Sequence, residues 1–178
     1  EYAEGGELLD SLRQMSIIPI NEVRIYIAEI ILALEYLHEN NYIYRDLKPS
    51  NILLDKTGHI KITDFGLSKD VSDSNGLAET FCGTYEYMAP EIIQRLEYDY
   101  KVDLWSLGVV FYEILTGETP FVSDNQQELF NNIIHEEVEF TRYMHQQAAQ
   151  LIKKLLNKDP TKRPTFKELK ADPFFRQI

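Results

Sequence analysis

The sequence predicts a mainly α-helical domain, a helical bundle carrying one small β-hairpin, on three observations. Val23, Tyr26, Ile27, Ile30, Ile31, Leu34 and Leu37 recur at three- and four-residue steps, the pattern of a long amphipathic helix. Leu104, Leu107, Val110, Phe111, Ile114 and Leu115 mark a second helix; Val109 and Tyr112 fall outside its stripe, so it should be buried nearly all round. Between the two, Ile52-Leu53-Leu54 and His59-Ile60-Lys61-Ile62 are short β-like runs around Asp55-Lys56-Thr57-Gly58, a strong turn signal.

In chain order, Gly5-Gly6 precede Leu8, Leu9 and Leu12, which suit a brief helix. Pro19 ends an irregular stretch, and Asn21 is the expected N-cap of the long helix, which closes at Asn40-Asn41. Residues 64–101 lack periodicity and read as a long ordered loop, of a length usually functional or disordered. Gly117 stops the buried helix, and two amphipathic helices follow, around Leu129 to Ile134 and Ala148 to Leu156. Thr165-Phe166-Lys167-Glu168 has the form of a capping box, which starts a last short helix.

Composition narrows the function. The chain has 178 residues, with 18 Lys and Arg against 29 Asp and Glu, a net charge of −11. That excess argues against nucleic acid and anionic membrane as partners and favours cationic ones. The longest apolar stretches, such as Ile30 to Leu34, are too short to span a bilayer. The single cysteine, Cys82, excludes an internal disulfide framework and suits a reducing compartment, so a cytoplasmic location is expected, with the nucleus left open. The four histidines show no metal-ligand spacing. Position 1 is Glu and the first methionine is Met15, which predicts a piece of a longer protein.

Three polar clusters sit where a core builder would not place them. They are Tyr44-Arg45-Asp46-Leu47-Lys48-Pro49-Ser50-Asn51, then Asp64-Phe65-Gly66, then Gly83-Thr84-Tyr85-Glu86-Tyr87-Met88-Ala89-Pro90-Glu91. An isolated Asp-Phe-Gly is weak evidence. All three in this order around a hairpin, followed by Asp103-Leu104-Trp105-Ser106-Leu107-Gly108, are very specific. On these motifs the chain resembles the large, C-terminal lobe of eukaryotic protein kinases, most of all the AGC group of serine/threonine kinases. The match is tightest over residues 41–120 and runs across the whole chain.

The resemblance implies ATP and Mg2+ as cofactors and transfer of the γ-phosphate to a Ser or Thr hydroxyl. Asp46 matches the aspartate that orients the substrate hydroxyl, Asn51 and Asp64 the metal ligands, and Lys48 a charge on the transferring phosphoryl group. Thr84 would brace Asp46 and Lys48. Tyr44 replaces the commoner histidine, a departure frequent in the AGC group; with Phe65 and Asp103 it would join the internal spine. Thr80 aligns with the activation-loop phosphorylation site, with Arg45 and Lys69 as its cationic partners, which implies an upstream activating kinase.

Glu1 and Ala3 resemble the hinge that bonds adenine, Glu7 the residue reaching the ribose, and Leu53 the residue under the adenine ring. Glu7 and Glu113 also match acids that bind arginines upstream of the phosphorylated residue, so protein substrates with Ser or Thr near basic residues are expected. Ser50 stands where relatives commonly have a third acid, which weakens any strict demand at the second upstream position. Phe81, Tyr85 and Met88 would line an apolar pocket for the following residue, although Tyr85 stands where many relatives have a smaller residue or proline. Glu91 and Arg163 match a buried structural ion pair.

The implied organisation is a partial kinase domain over 1–178: hinge 1–7, catalytic loop 44–51, activation segment 64–91, helices 103–178. No Gly-x-Gly-x-x-Gly pattern occurs among the eight glycines, so the small N-terminal lobe is expected to be absent and the isolated stretch inactive. The alternative is a stand-alone lobe acting as a non-catalytic binding or scaffold module; retention of Asp46, Lys48, Asn51 and Asp64 together argues against it.

Overall fold

A computed structural model describes residues 5–14 and 18–176. Its centre is α4 (Lys101–Thr116), whose first eleven residues are all buried, as the unbroken apolar character of the segment predicts. Around it, in chain order, lie α1 (Leu8–Arg13), α2 (Ile20–Glu39), β1 (Tyr42–Ile43), β2 (Ile52–Leu54), β3 (Ile60–Ile62), β4 (Lys69–Asp70) and α3 (Pro90–Ile93). After α4 come α5 (Gln126–His135), α6 (Gln146–Leu155) and α7 (Phe166–Lys170). No helix among the described residues is long and apolar enough to cross a membrane.

α2 packs its Val23, Ile27, Ile30, Ile31 and Leu34 face into the core, against α4 and the hairpin. α6 lies directly on α4, and Gly108 is what lets it approach. A Cβ there would meet Leu156 Cδ2 at 2.8 Å and Leu155 Cβ at 2.9 Å, so any larger residue would push the two helices apart. Gly117 ends α4 in the left-handed region, φ 83°, with its N–H returned to Glu113 O at 2.7 Å. Thr165 and Glu168 form the expected capping box of α7.

The hairpin pairs β2 with β3 antiparallel, in the register Ile52↔Ile62, Leu53↔Lys61 and Leu54↔Ile60. Its turn is closed by Asp55, whose Oδ1 accepts from Thr57 N at 2.7 Å and His59 N at 3.1 Å. Glu29 of α2 accepts from Ile60 N at 2.9 Å and fastens the hairpin to the helix.

The structure departs from the expected elements in two places. α2 begins at Ile20 with Pro19 as its cap, because Pro19 O already accepts from Glu22 N and Val23 N. Asn21 therefore lies inside the helix, where its side chain accepts from Arg24 rather than capping. The segment 64–101 is not all loop. β4 pairs antiparallel with β1 (Tyr42↔Asp70, Ile43↔Lys69), a second two-stranded sheet, and 3-10 turns at Ser72–Ser74 and Tyr85–Tyr87 lead into α3.

Candidate active site

The loop from 44 to 51 runs between β1 and β2, and a buried carboxylate from the first turn of α4 shapes it. Asp103 is 0% exposed; its Oδ2 accepts from Tyr44 N at 2.8 Å and pairs with His38 Nε2 at 2.7 Å, and its Oδ1 accepts from Arg45 N at 2.8 Å. These bonds hold Arg45 at φ 70°, a conformation that side-chain-bearing residues rarely adopt and that surrounding structure must impose. Tyr44, also 0% exposed, donates its hydroxyl to Thr63 O, and the ring of Phe65 meets its ring edge-on at 5.5 Å. Phe65 is itself half exposed.

Asp46 lies at the centre of a closed polar network. Its Oδ1 accepts from Thr84 Oγ1 at 3.1 Å, and its Oδ2 accepts from Asn51 Nδ2 at 3.1 Å and faces Lys48 Nζ at 3.3 Å. Lys48 Nζ also donates to Thr84 Oγ1 at 2.9 Å, so one hydroxyl accepts from the lysine and donates to the aspartate. Asn51 ties itself to the loop through Nδ2 to Asp46 O at 2.9 Å. The segment carrying Thr84 reaches Asp46 because Gly83 sits at φ 115° with its Cβ position 3.0 Å from Arg45 O, a passage open only to glycine.

Asn51 O accepts from Thr63 N at 2.9 Å, which brings Asp64 alongside Asn51. Asp64 adopts φ 56°, with Oδ1 accepting from Gly66 N at 3.1 Å. Among the described residues no three His, Cys, Asp or Glu side chains are grouped to hold a metal ion by themselves. The donor set still fits Mg2+, which binds one or two hard oxygen ligands and completes its shell with water and substrate phosphates.

Residues 5–7 lie against β2: Gly5 N donates to Leu54 O and Leu54 N to Gly6 O, both at 2.9 Å, and Glu7 bridges to Leu53. Glu7 and Leu53 are thereby brought together; Glu1 and Ala3 lie outside the described residues. A groove of about 770 Å³ joins this corner to Lys48 and Thr84. Glu7, Asp10, Glu86, Glu113 and Glu118 line it, against Arg13 and Lys48. Glu113 is 7% exposed and accepts from the Tyr87 hydroxyl at 2.6 Å; burial pushes its carboxyl up from the ordinary range, with the Tyr87 bond opposing.

Outside the groove lining, Phe81 and Tyr85 meet each other (6.5 Å between ring centres) and both meet Phe130 of α5 (6.3 and 5.3 Å), while the Arg95 guanidinium covers Phe81 at 4.6 Å. Met88 departs from the expectation. At 3% exposure it is buried behind Gly83, and it offers a substrate little surface beside those rings.

The side chain of Thr80 is exposed, and its carbonyl accepts from the Tyr98 hydroxyl at 2.7 Å. Arg45 donates to Leu67 O at 2.6 Å and to Tyr98 Oη at 3.1 Å, and Lys69 enters through the pairing of β4 with Ile43. Glu91 and Arg163 form a two-pronged buried pair at 2.6 and 2.8 Å. Sequence reasoning missed His38, Asp10, Glu86, Tyr98, Glu118 and Phe130. Glu86 lies inside a motif already singled out; the others carry no local signal, because only the tertiary fold brings them to the site.

Two comparisons with known proteins bear on this geometry. The model of the protein kinase domain matches residues 1–175. The chain is 45% identical over 183 residues to the cAMP-dependent protein kinase type 3 of Saccharomyces cerevisiae, covering 100% of this chain and 45% of that protein. It is 47% identical over 163 residues to the human RAC-beta serine/threonine-protein kinase (92% of this chain, 34% of that protein) and 46% identical over 182 residues to the serine/threonine-protein kinase Sgk1-B of Xenopus laevis (100% and 42%). The chain thus spans less than half the length of these relatives.

Proposed function

The chain belongs to the protein kinase family, and from that premise we propose that its protein transfers the γ-phosphate of ATP to Ser and Thr hydroxyls of basic protein substrates. The observation that carries the reading is the Asp46–Lys48–Thr84 network. In the proposed step the substrate hydroxyl oxygen attacks the γ-phosphorus. A new P–O bond forms, the bond to the β-phosphate oxygen breaks, ADP leaves, and the hydroxyl proton passes to a carboxylate oxygen of Asp46. Thr84, Asn51 and Lys48 hold that carboxylate in one orientation, so little reorganisation remains when the hydroxyl arrives. Lys48 adds a fixed positive charge beside the place where phosphoryl charge develops. Asn51 and Asp64 would hold Mg2+, which neutralises phosphate charge when bound.

Substrate preference follows from the groove, whose carboxylates suit arginines upstream of the phosphorylated residue. A cytoplasmic location is proposed with this activity, on the single cysteine. The test is initial-rate assay of the intact protein with MgATP, an arginine-bearing Ser peptide, and the same peptide with glutamate in place of arginine. The arginine peptide should be favoured by roughly a hundredfold in kcat/KM, about 2.7 kcal/mol of discrimination. Equal rates would remove the groove from the account, and no transfer to either would remove the activity.

Thr80 is proposed as the switch, phosphorylated by an upstream kinase. A phosphate there carries nearly two negative charges; Arg45 reaches the Thr80 carbonyl through Tyr98, and Lys69 pairs with Ile43, two positions before Arg45, so these are the cations proposed to meet it. Thr80→Ala is expected to lower kcat by at least about tenfold, since an activation loop ordered through new charge-assisted bonds loses them. Mass spectrometry of the active protein should find Thr80 phosphorylated; full activity with Thr80 unmodified would defeat the assignment.

A further inference from the structure

Tyr98 has no part in the proposed chemistry, yet it touches both segments that matter. It lies in the turn between α3 and α4 and is 3% exposed. Its backbone pairs with Ala78 in an antiparallel bridge, Ala78 N to Tyr98 O and Tyr98 N to Ala78 O, both at 2.8 Å. Its hydroxyl donates to Thr80 O at 2.7 Å and accepts from Arg45 Nη1 at 3.1 Å. One residue therefore makes three bonds to the stretch 78–80 and a fourth to the residue preceding Asp46.

We propose that the Tyr98 hydroxyl is a positioning group that locks the backbone of the activation segment at Thr80 to Arg45 of the catalytic loop. Arg45 has two grips on that segment, Leu67 O directly and Thr80 O through Tyr98, and its own backbone is fixed by Asp103. A shift of the backbone at 80 is thus felt one residue from Asp46. Because the grip is on the carbonyl, the exposed side chain of Thr80 stays available for modification while the backbone is held. The direction of the bond is set by its acceptor: Thr80 O is a carbonyl oxygen and can only accept, and burial, opposed by the neighbouring Arg45 cation, raises the pKa of the hydroxyl and so favours its protonated form.

The chemistry also says why a phenol suits the position. The ring fills the buried space, and the hydroxyl satisfies one acceptor and one donor at once. Phenylalanine would keep the ring and leave Thr80 O and the Arg45 N–H without that partner. The inference rests on the kinase reading for its effect on turnover, but not for its effect on the loop.

The test compares Tyr98→Phe with the unmodified sequence in the intact protein, by amide hydrogen exchange and steady-state kinetics. Exchange across residues 79–83 should rise by roughly two- to tenfold, the loss of one buried hydrogen bond, with α4 unchanged. Turnover should fall by a similar factor, with KM for ATP held within about twofold, since the lost bond aligns reacting groups and binds no nucleotide. Unchanged exchange at 79–83 would overturn the proposal. So would equal loosening of 79–83 and α4, the mark of a plain packing residue. Should the intact protein transfer no phosphate, the kinase reading fails while the exchange result still decides this one.

Discussion

Asp46→Asn is expected to cut phosphoryl transfer by about a thousandfold, within the range that a positioned general base contributes, while leaving the domain folded. The substitution keeps the shape of the side chain and removes its ability to take the substrate proton. It also disturbs the contacts around it. Asp46 presents only acceptor oxygens to Thr84 Oγ1, Asn51 Nδ2 and Lys48 Nζ, all of which are donors. An amide must replace one oxygen by N–H₂, which either reverses the Thr84 contact at Oδ1 or loses both the Asn51 and the Lys48 contacts at Oδ2. KM for ATP should stay within about threefold, because in the proposed reaction Asp46 meets the hydroxyl rather than the nucleotide. Initial rates with the arginine peptide provide the measurement. Retention of more than about a tenth of the rate would exclude Asp46 as the proton acceptor, a contribution that should be at least a hundredfold.

Lys48→Ala belongs to the same network and separates its two functions. Lys48 bonds both Asp46 and Thr84, so its removal costs one brace on the carboxylate and, in the proposed reaction, a charge beside the transferring phosphoryl group. The proton acceptor survives that change, whereas it does not survive Asp46→Asn. The geometry therefore ranks Asp46 above Lys48 in its effect on turnover.

How far sequence alone reached depends on whether a feature is local. α2 and α4 were legible because a helix of 20 or 16 residues repeats its apolar face several times. The capping box of α7 was legible because Thr165 and Glu168 satisfy each other within four residues. β1 and β4, two residues each, have no period to read, and their pairing joins Tyr42 to Asp70 and Ile43 to Lys69, far apart in the chain. The start of α2 was misplaced because Asn is a better side-chain cap than Pro, yet Pro19 supplies its backbone carbonyl at the right place.

The same division runs through the site. Asp46, Lys48 and Asn51 lie within six residues in a motif that carries the family resemblance, and Asp64 and Thr84 belong to the flanking motifs. What holds them was hidden: His38 lies 65 positions from Asp103, and Tyr98 lies 53 from Arg45. Met88 shows the opposite error. Its motif suggested a substrate pocket, while the path of the chain at Gly83 buries it.

Glu91→Ala is expected to destabilise the domain by about 3–5 kcal/mol, the cost of stranding one partner of a buried ion pair. The Arg163 side chain is 0% exposed, so water cannot replace the carboxylate. Its remaining partners are neutral: Asn157 O and Lys101 O, each at 2.9 Å, and the Trp105 ring at 5.2 Å. These satisfy two of its N–H bonds and leave the two-pronged face toward position 91 empty. The damage should also spread, because Lys101 Nζ bonds Arg163 O and Glu91 is the second residue of the short helix α3. Thermal unfolding should shift down by roughly 10 °C, at about 2–4 °C per kcal/mol for a domain of this size. Adding Arg163→Met to Glu91→Ala should recover part of the loss, since the second change removes the stranded charge. A cost below about 1 kcal/mol for Glu91→Ala, or a double variant weaker by the full sum of the single effects, would show that the pair is not acting as a buried couple.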